Sequence, residues 1–119
     1  MSEIMHINNV IVCNTFLLTE FECPCCQLVK IDGRLLDVLV AARAKNKAQI
    51  EIHSGYRCAI HNLRVGGKVK SKHLEGKAVD IGMAEGKMIG VLEDVIREQQ
   101  YTDRVIVITE RKHLHVMVL

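Results

Sequence analysis

The chain ends in an alternating run, His113-Leu114-His115-Val116-Met117-Val118. Successive side chains of an extended strand point to opposite faces, so Leu114, Val116 and Val118 share one face while His113 and His115 share the other. A strand of this kind lays its apolar face on a core and presents both imidazoles together on the far side. Two amphipathic segments can supply that core. From Asp32, apolar residues recur at Leu35, Leu36, Val38, Leu39 and Ala42, which predicts a helix with Asp32 as N-cap that fades near Asn46. Lys87 to Gln99 repeats the pattern with Met88, Val91, Leu92, Val95 and Ile96.

Shorter apolar segments predict strands at 6–13, Gln49–His53, Lys77–Met83 and Val105–Ile108, the last of them buried, and a final strand at His113–Leu119. A long loop with Gly55, Gly66 and Gly67 fills the interval after His53, and Cys23-Pro24-Cys25-Cys26 reads as a tight turn. Strands that return as closing hairpins after helices predict an α+β fold with a largely antiparallel sheet flanked by helices. With 119 residues, one domain over 1–119 is expected, because two would each fall below the size at which a core is easily stabilised. Cys13, Met83, Met88 and Met117 read as core positions, and Tyr56 as a packing residue beside Arg57.

A formal net charge of +2 is too small to argue for general nucleic-acid or membrane binding. No apolar run reaches the roughly eighteen residues of a membrane span, and the first twelve residues lack the basic start of a signal peptide. A cytoplasmic location follows as the expectation. Positive charge concentrates locally: Arg57, Arg64, Lys68, Lys70, Lys72 and Lys77 face a single acid, Glu75. That stretch is either a solvated loop or the rim of a site for an anionic substrate. Five cysteines, at 13, 23, 25, 26 and 58, read as free thiols or metal ligands rather than a disulfide framework. Cys23-x-x-Cys26 and Cys58-x-x-His61 have the spacing of two halves of a structural zinc site, with Cys25 able to replace one member. The other reading is of buried or free thiols.

Chemistry concentrates in two segments. His73 precedes a turn that Gly76 permits, and Asp80 lies on the returning strand beside the small Ala78. A loop His, a strand Asp and one imidazole of the final strand can converge as three zinc ligands with a fourth position open, as catalytic zinc requires. The other imidazole is then a polar helper.

Ser54-Gly55-Tyr56-Arg57, His61-Asn62, Val65-Gly66-Gly67, the spaced string Ser71-x-His73-x-x-Gly76-x-Ala78-x-Asp80 and the terminal His113-Leu114-His115-Val116 together resemble the zinc D-alanyl-D-alanine carboxypeptidase family. That family includes bacterial and phage peptidoglycan peptidases and shares its fold with the hedgehog signalling domain. Phe21-Glu22-Cys23-Pro24-Cys25-Cys26 is similar to the family's lead-in to its first helix, so the resemblance spans about residues 16 to 119. It implies zinc held by His73, Asp80 and His115, with His113 as the accessory imidazole, Arg57 contacting substrate or intermediate oxygen, and Glu110 as general base. If His113 were the ligand instead, Glu110 would fit a carboxylate-x-x-His arrangement. Many bacterial members carry Asp two residues after the ligand His, where this chain has Met117.

The implied activity is zinc-dependent hydrolysis of peptidoglycan stem peptides by a monomer, either at terminal D-Ala-D-Ala or within the stem, and the resemblance adds to the cytoplasmic expectation that of a phage lysin that reaches the cell wall after release. A non-catalytic zinc-binding or interaction module on the same fold is the alternative. Four aromatic residues and no Trp argue against extensive sugar stacking, and so for peptide rather than glycosidic bonds.

Overall fold

Helix α1 (Gly33–Asn46) starts where Asp32 caps it, the Asp32 Oδ1 accepting the Arg34 backbone N–H at 2.9 Å. The computed structural model describes residues 11–12, 15–46, 49–82 and 87–119. Before α1, a short antiparallel ribbon of β1 (Ile11–Val12) and β2 (Phe16–Leu17) leads into a 3₁₀ turn at Leu18–Phe21. Most of the strand expected over 6–13, including Cys13, lies outside the described residues, as does Met83.

The remaining elements are β3 (Ile52–Ser54), α2 (Ala59–Arg64), a 3₁₀ turn at Lys72–Glu75, β4 (Ala78–Ile81), α3 (Met88–Glu98), β5 (Val105–Thr109) and β6 (Leu114–Val118). Strands β3 to β6 form one antiparallel sheet in the order β3-β4-β6-β5. The fold is therefore α+β with a four-stranded antiparallel sheet and helices, as the residue pattern predicts. No helix among the described residues is long and apolar enough to cross a membrane.

One face of the sheet is apolar. Leu114, Val116 and Val118 of β6 and Val79 and Ile81 of β4 are buried there. They form one core with Leu35, Val38, Leu39 and Ala42 of α1 and Met88, Leu92, Val95 and Ile96 of α3. The register then decides the opposite face. Asp80 pairs with His115, which pairs in turn with Ile108, and Ala78 pairs with Met117. Alternation sends Ala78, Asp80, His115 and Met117 away from the core, so the polar groups collect in one place.

Three expectations need correction. Residues 59–64 form helix α2 rather than loop. Its exposed Ile60 and Leu63 carry no apolar stripe, and its N-cap is Cys58, whose sulfur accepts the His61 N–H. Strand β5 is a sheet edge rather than a buried strand: only Val105 is buried, and Ile108 is 41% exposed. Met117 belongs to the polar face and lines a cleft, while Met88 is a core residue as expected.

Candidate metal and catalytic site

His73 reaches the sheet because a glycine lets the chain approach closely. Ser71 caps the 3₁₀ turn through its Oγ, and Gly76 closes it in the left-handed region at φ 71°. A Cβ at Gly76 would stand 2.5 Å from the Lys30 carbonyl oxygen, so only glycine fits. The His73 ring is buried, and its Nδ1 donates to the Gly55 carbonyl at 2.8 Å. That bond fixes the tautomer, leaving a bare lone pair on Nε2 in the neutral ring. Nε2 is buried without a hydrogen-bond partner, yet it lies 3.2 Å from Asp80 Oδ2. Two lone pairs face each other there, an arrangement that calls for a cation between them.

Asp80 is 3% exposed at the centre of β4. Its Oδ1 accepts from His115 Nδ1 at 2.8 Å, and its Oδ2 lies 3.4 Å from both Arg57 Nη2 and His113 Nε2. Burial alone would raise this carboxyl's pKa. The His115 hydrogen bond and the close imidazoles of His73 and His113 outweigh burial and hold it well below the usual carboxylate range. The site thus keeps an anion ready at any ordinary pH.

Ligand atoms of His73, Asp80 and His115 all lie within 4.8 Å of one another, and so do those of Asp80, Glu110 and His113. The first set is the more buried. The second is at the mouth: His113 sits just before β6 in a turn closed by the Glu110 N–H to its carbonyl (2.9 Å), and its Nε2 meets Glu110 Oε1 at 2.8 Å. All three residues of the expected ligand set converge, with Glu110, His113 and Arg57 around them. Two imidazoles, a carboxylate and an orphaned buried nitrogen suit zinc, which favours N and O donors at short range.

Arg57 is clamped rather than free. Its Nε donates to Ser54 Oγ (3.3 Å), Nη1 to Asn62 Oδ1 (3.2 Å) and Nη2 to Asp80 Oδ2 (3.4 Å). Asn62, 4% exposed, also ties down the Lys68 carbonyl through its Nδ2 at 2.9 Å. Gly67 earns its place here, since a Cβ would fall 2.0 Å from Asn62 Oδ1. Sequence reasoning gave Asn62, Ser54 and the Gly55 carbonyl no role. The first two stand inside the family-like strings, but a backbone acceptor leaves no signature in side chains.

These residues line a cleft of about 430 Å³ between β6, the end of β5 and the loop carrying Lys68, Lys70 and Lys72. Of the basic stretch, Arg57, Lys68, Lys70 and Lys72 line the cleft together with Glu110 and Met117, whereas Arg64 and Lys77 do not. Of the thiols, Cys23 is buried, Cys25 and Cys26 are exposed and Cys58 is half-buried. The His61 N–H lowers the Cys58 thiol to about 7, against burial and with help from the neighbouring thiols.

An antiparallel sheet that holds a His/Asp/His cluster beside a Glu–His pair and a fixed Arg has the make-up of a metal-assisted hydrolase. The chain matches the Peptidase M15 family over residues 14–117 and belongs to that family of zinc peptidases, so the resemblance read from its motifs is borne out. No curated protein matches it. Its fold is similar to that of the L-Ala D-Glu endopeptidase ChiX of Serratia marcescens, with a TM-score of 0.59 at 18% identity over 75% of this chain and 80% of that one.

Proposed function

We propose that the protein is a zinc-dependent peptidase that hydrolyses peptide bonds in the stem peptides of bacterial peptidoglycan. The observation that carries this reading is the bare Nε2 of His73 aimed at Asp80, beside His115 and under the Glu110–His113 pair. His73, Asp80 and His115 are the proposed zinc ligands, the last because it completes the buried set. Bound zinc supplies a Lewis acid and lowers the pKa of a coordinated water toward ~7.

The protein's residues do the rest. The Gly55 carbonyl holds the His73 ring so that Nε2 points inward. Glu110, 44% exposed at the mouth of the cleft, accepts the proton of the attacking water and returns it to the leaving amine. His113 orients that carboxylate and donates to oxygen as charge develops. Arg57, already fixed by Ser54 and Asn62, adds a second donor without reorganising. Lys68, Lys70 and Lys72 attract the free carboxylates that stem peptides carry. The endopeptidase activity named for the ChiX neighbour supports cleavage within the stem, and the family resemblance supports terminal D-Ala-D-Ala. The masses of the products distinguish the two.

Glu110→Ala tests the reading on purified cell walls. The variant should keep zinc and lose about 10²-fold or more of turnover. Wild-type protein that binds zinc but releases no peptide from several wall types, with Glu110→Ala indistinguishable from it, would instead identify a non-catalytic zinc module.

A further inference from the structure

Among the described residues, the metal-ligating clusters outside the Asp80 cleft reduce to one, formed by cysteines far apart in sequence. The turn at 23–27 is closed by the Gln27 N–H to the Cys23 carbonyl (2.7 Å) and the Cys23 N–H to the Leu28 carbonyl (2.9 Å). Gln27 adopts φ 61°, a left-handed conformation that folds the chain back on itself. Cys58 arrives from the other side as the N-cap of α2. The sulfurs of Cys23, Cys26 and Cys58 then lie within 4.8 Å of one another. Tetrahedral zinc with Zn–S bonds of about 2.3 Å requires S···S separations of about 3.8 Å, within reach of small side-chain rotations.

The backbone around the sulfurs points the same way. The Cys58 N–H approaches Cys23 Sγ at 3.4 Å, and the His61 N–H approaches Cys58 Sγ at 3.4 Å. Amide donors aimed at sulfur favour the thiolate, the form a metal takes. Cys25 neighbours Cys58, and Arg64 Nη1 lies 3.8 Å from the Cys25 sulfur, so a positive group also faces the cluster. A disulfide would use two of these sulfurs and leave the others crowded against it. A mononuclear tetrahedral site uses all four.

We propose that Cys23, Cys25, Cys26 and Cys58 bind a second zinc ion whose role is structural. The ion would pin the 23–28 turn to the segment Gly55–Cys58. That segment hydrogen-bonds Phe21 on one side, through the Tyr56 N–H (2.9 Å), and His73 on the other, through the Arg57 N–H (3.1 Å). The same segment provides the carbonyl that orients His73 and the guanidinium that lines the cleft. Closed four-sulfur coordination stabilises such a segment without joining the chemistry.

The test is the metal content of the full chain, purified from zinc-supplemented cells, for wild type, His73→Ala and the double variant His73→Ala/Cys26→Ser. Two zinc ions in wild type, one in His73→Ala and none in the double variant are expected. Cobalt loaded into His73→Ala should show an intense near-ultraviolet thiolate charge-transfer band, a readout that needs no stable Cys variant. His61→Ala should leave that band unchanged, whereas Cys25→Ser should weaken it. Metal-free His73→Ala, iron in place of zinc, a Cys23–Cys58 disulfide, or thiols that react equally fast before and after chelation would each overturn the proposal. A wild type with one zinc that His73→Ala does not remove would uphold it and defeat the cleft assignment instead.

Discussion

Arg57 makes three side-chain hydrogen bonds, yet a single one of them reaches the metal cluster, so its loss separates catalysis from metal binding. Arg57→Ala should lower kcat/KM by about 10²-fold, the typical cost of removing one preorganised donor, while zinc content stays at the wild-type value. Asp80 makes a pH prediction in the metal-free chain. Its native pKa is depressed, so the stability it contributes is fully present above the ordinary carboxylate value of about 4 and drains away as pH falls from there toward the native value. Denaturant titrations between those limits should show metal-free wild type losing stability with acid more steeply than Asp80→Asn. At this scale the sequence was readable where a side chain enters the candidate site: His73, Asp80, His115, Glu110, His113 and Arg57 all meet at one cleft. It was silent where the backbone does, as at the Gly55 carbonyl, and where a neutral amide such as Asn62 merely braces an active neighbour.

Helices α1 and α3 show why some elements are legible and others are not. Each buries four stripe residues on the sheet, and a period of 3.6 over eleven or more residues leaves a mark that chance does not imitate. Helix α2 has six residues, buries only Asn62 and starts from a cysteine, so neither stripe nor usual cap announces it. The apolar run at 105–108 looked buried because composition does not reveal an edge position, and among the described residues β5 pairs only with β6. The 3₁₀ turn that delivers His73 depends on Gly76. Gly76→Ala forces a side chain into the left-handed region, at about 1–2 kcal/mol, and against the Lys30 carbonyl besides. A loss of at least about 2 kcal/mol is expected in urea unfolding, together with weaker zinc binding, because the turn and the ligand move as one.

Across the whole molecule, the sheet divides labour between its faces. The helix-covered face supplies stability, and the opposite face gathers the candidate site residues, with the lysines of the facing loop along the same cleft. Those lysines act at a distance, so their effect should be screened. KM for an anionic stem peptide should rise several-fold between low and physiological salt, and Lys70→Glu should raise it further at low salt with kcat little changed. Membership of the Peptidase M15 family places the chain among peptidases, and the proposed reaction depends on metal at the cleft. The most direct test is mass spectrometry of purified peptidoglycan incubated with the zinc-loaded protein, the same protein after chelation, and the protein again after zinc is restored. The account predicts fragments with one stem-peptide bond hydrolysed in the first and third samples and none in the second. Intact stem peptides in all three, or equal cleavage after chelation, would contradict it.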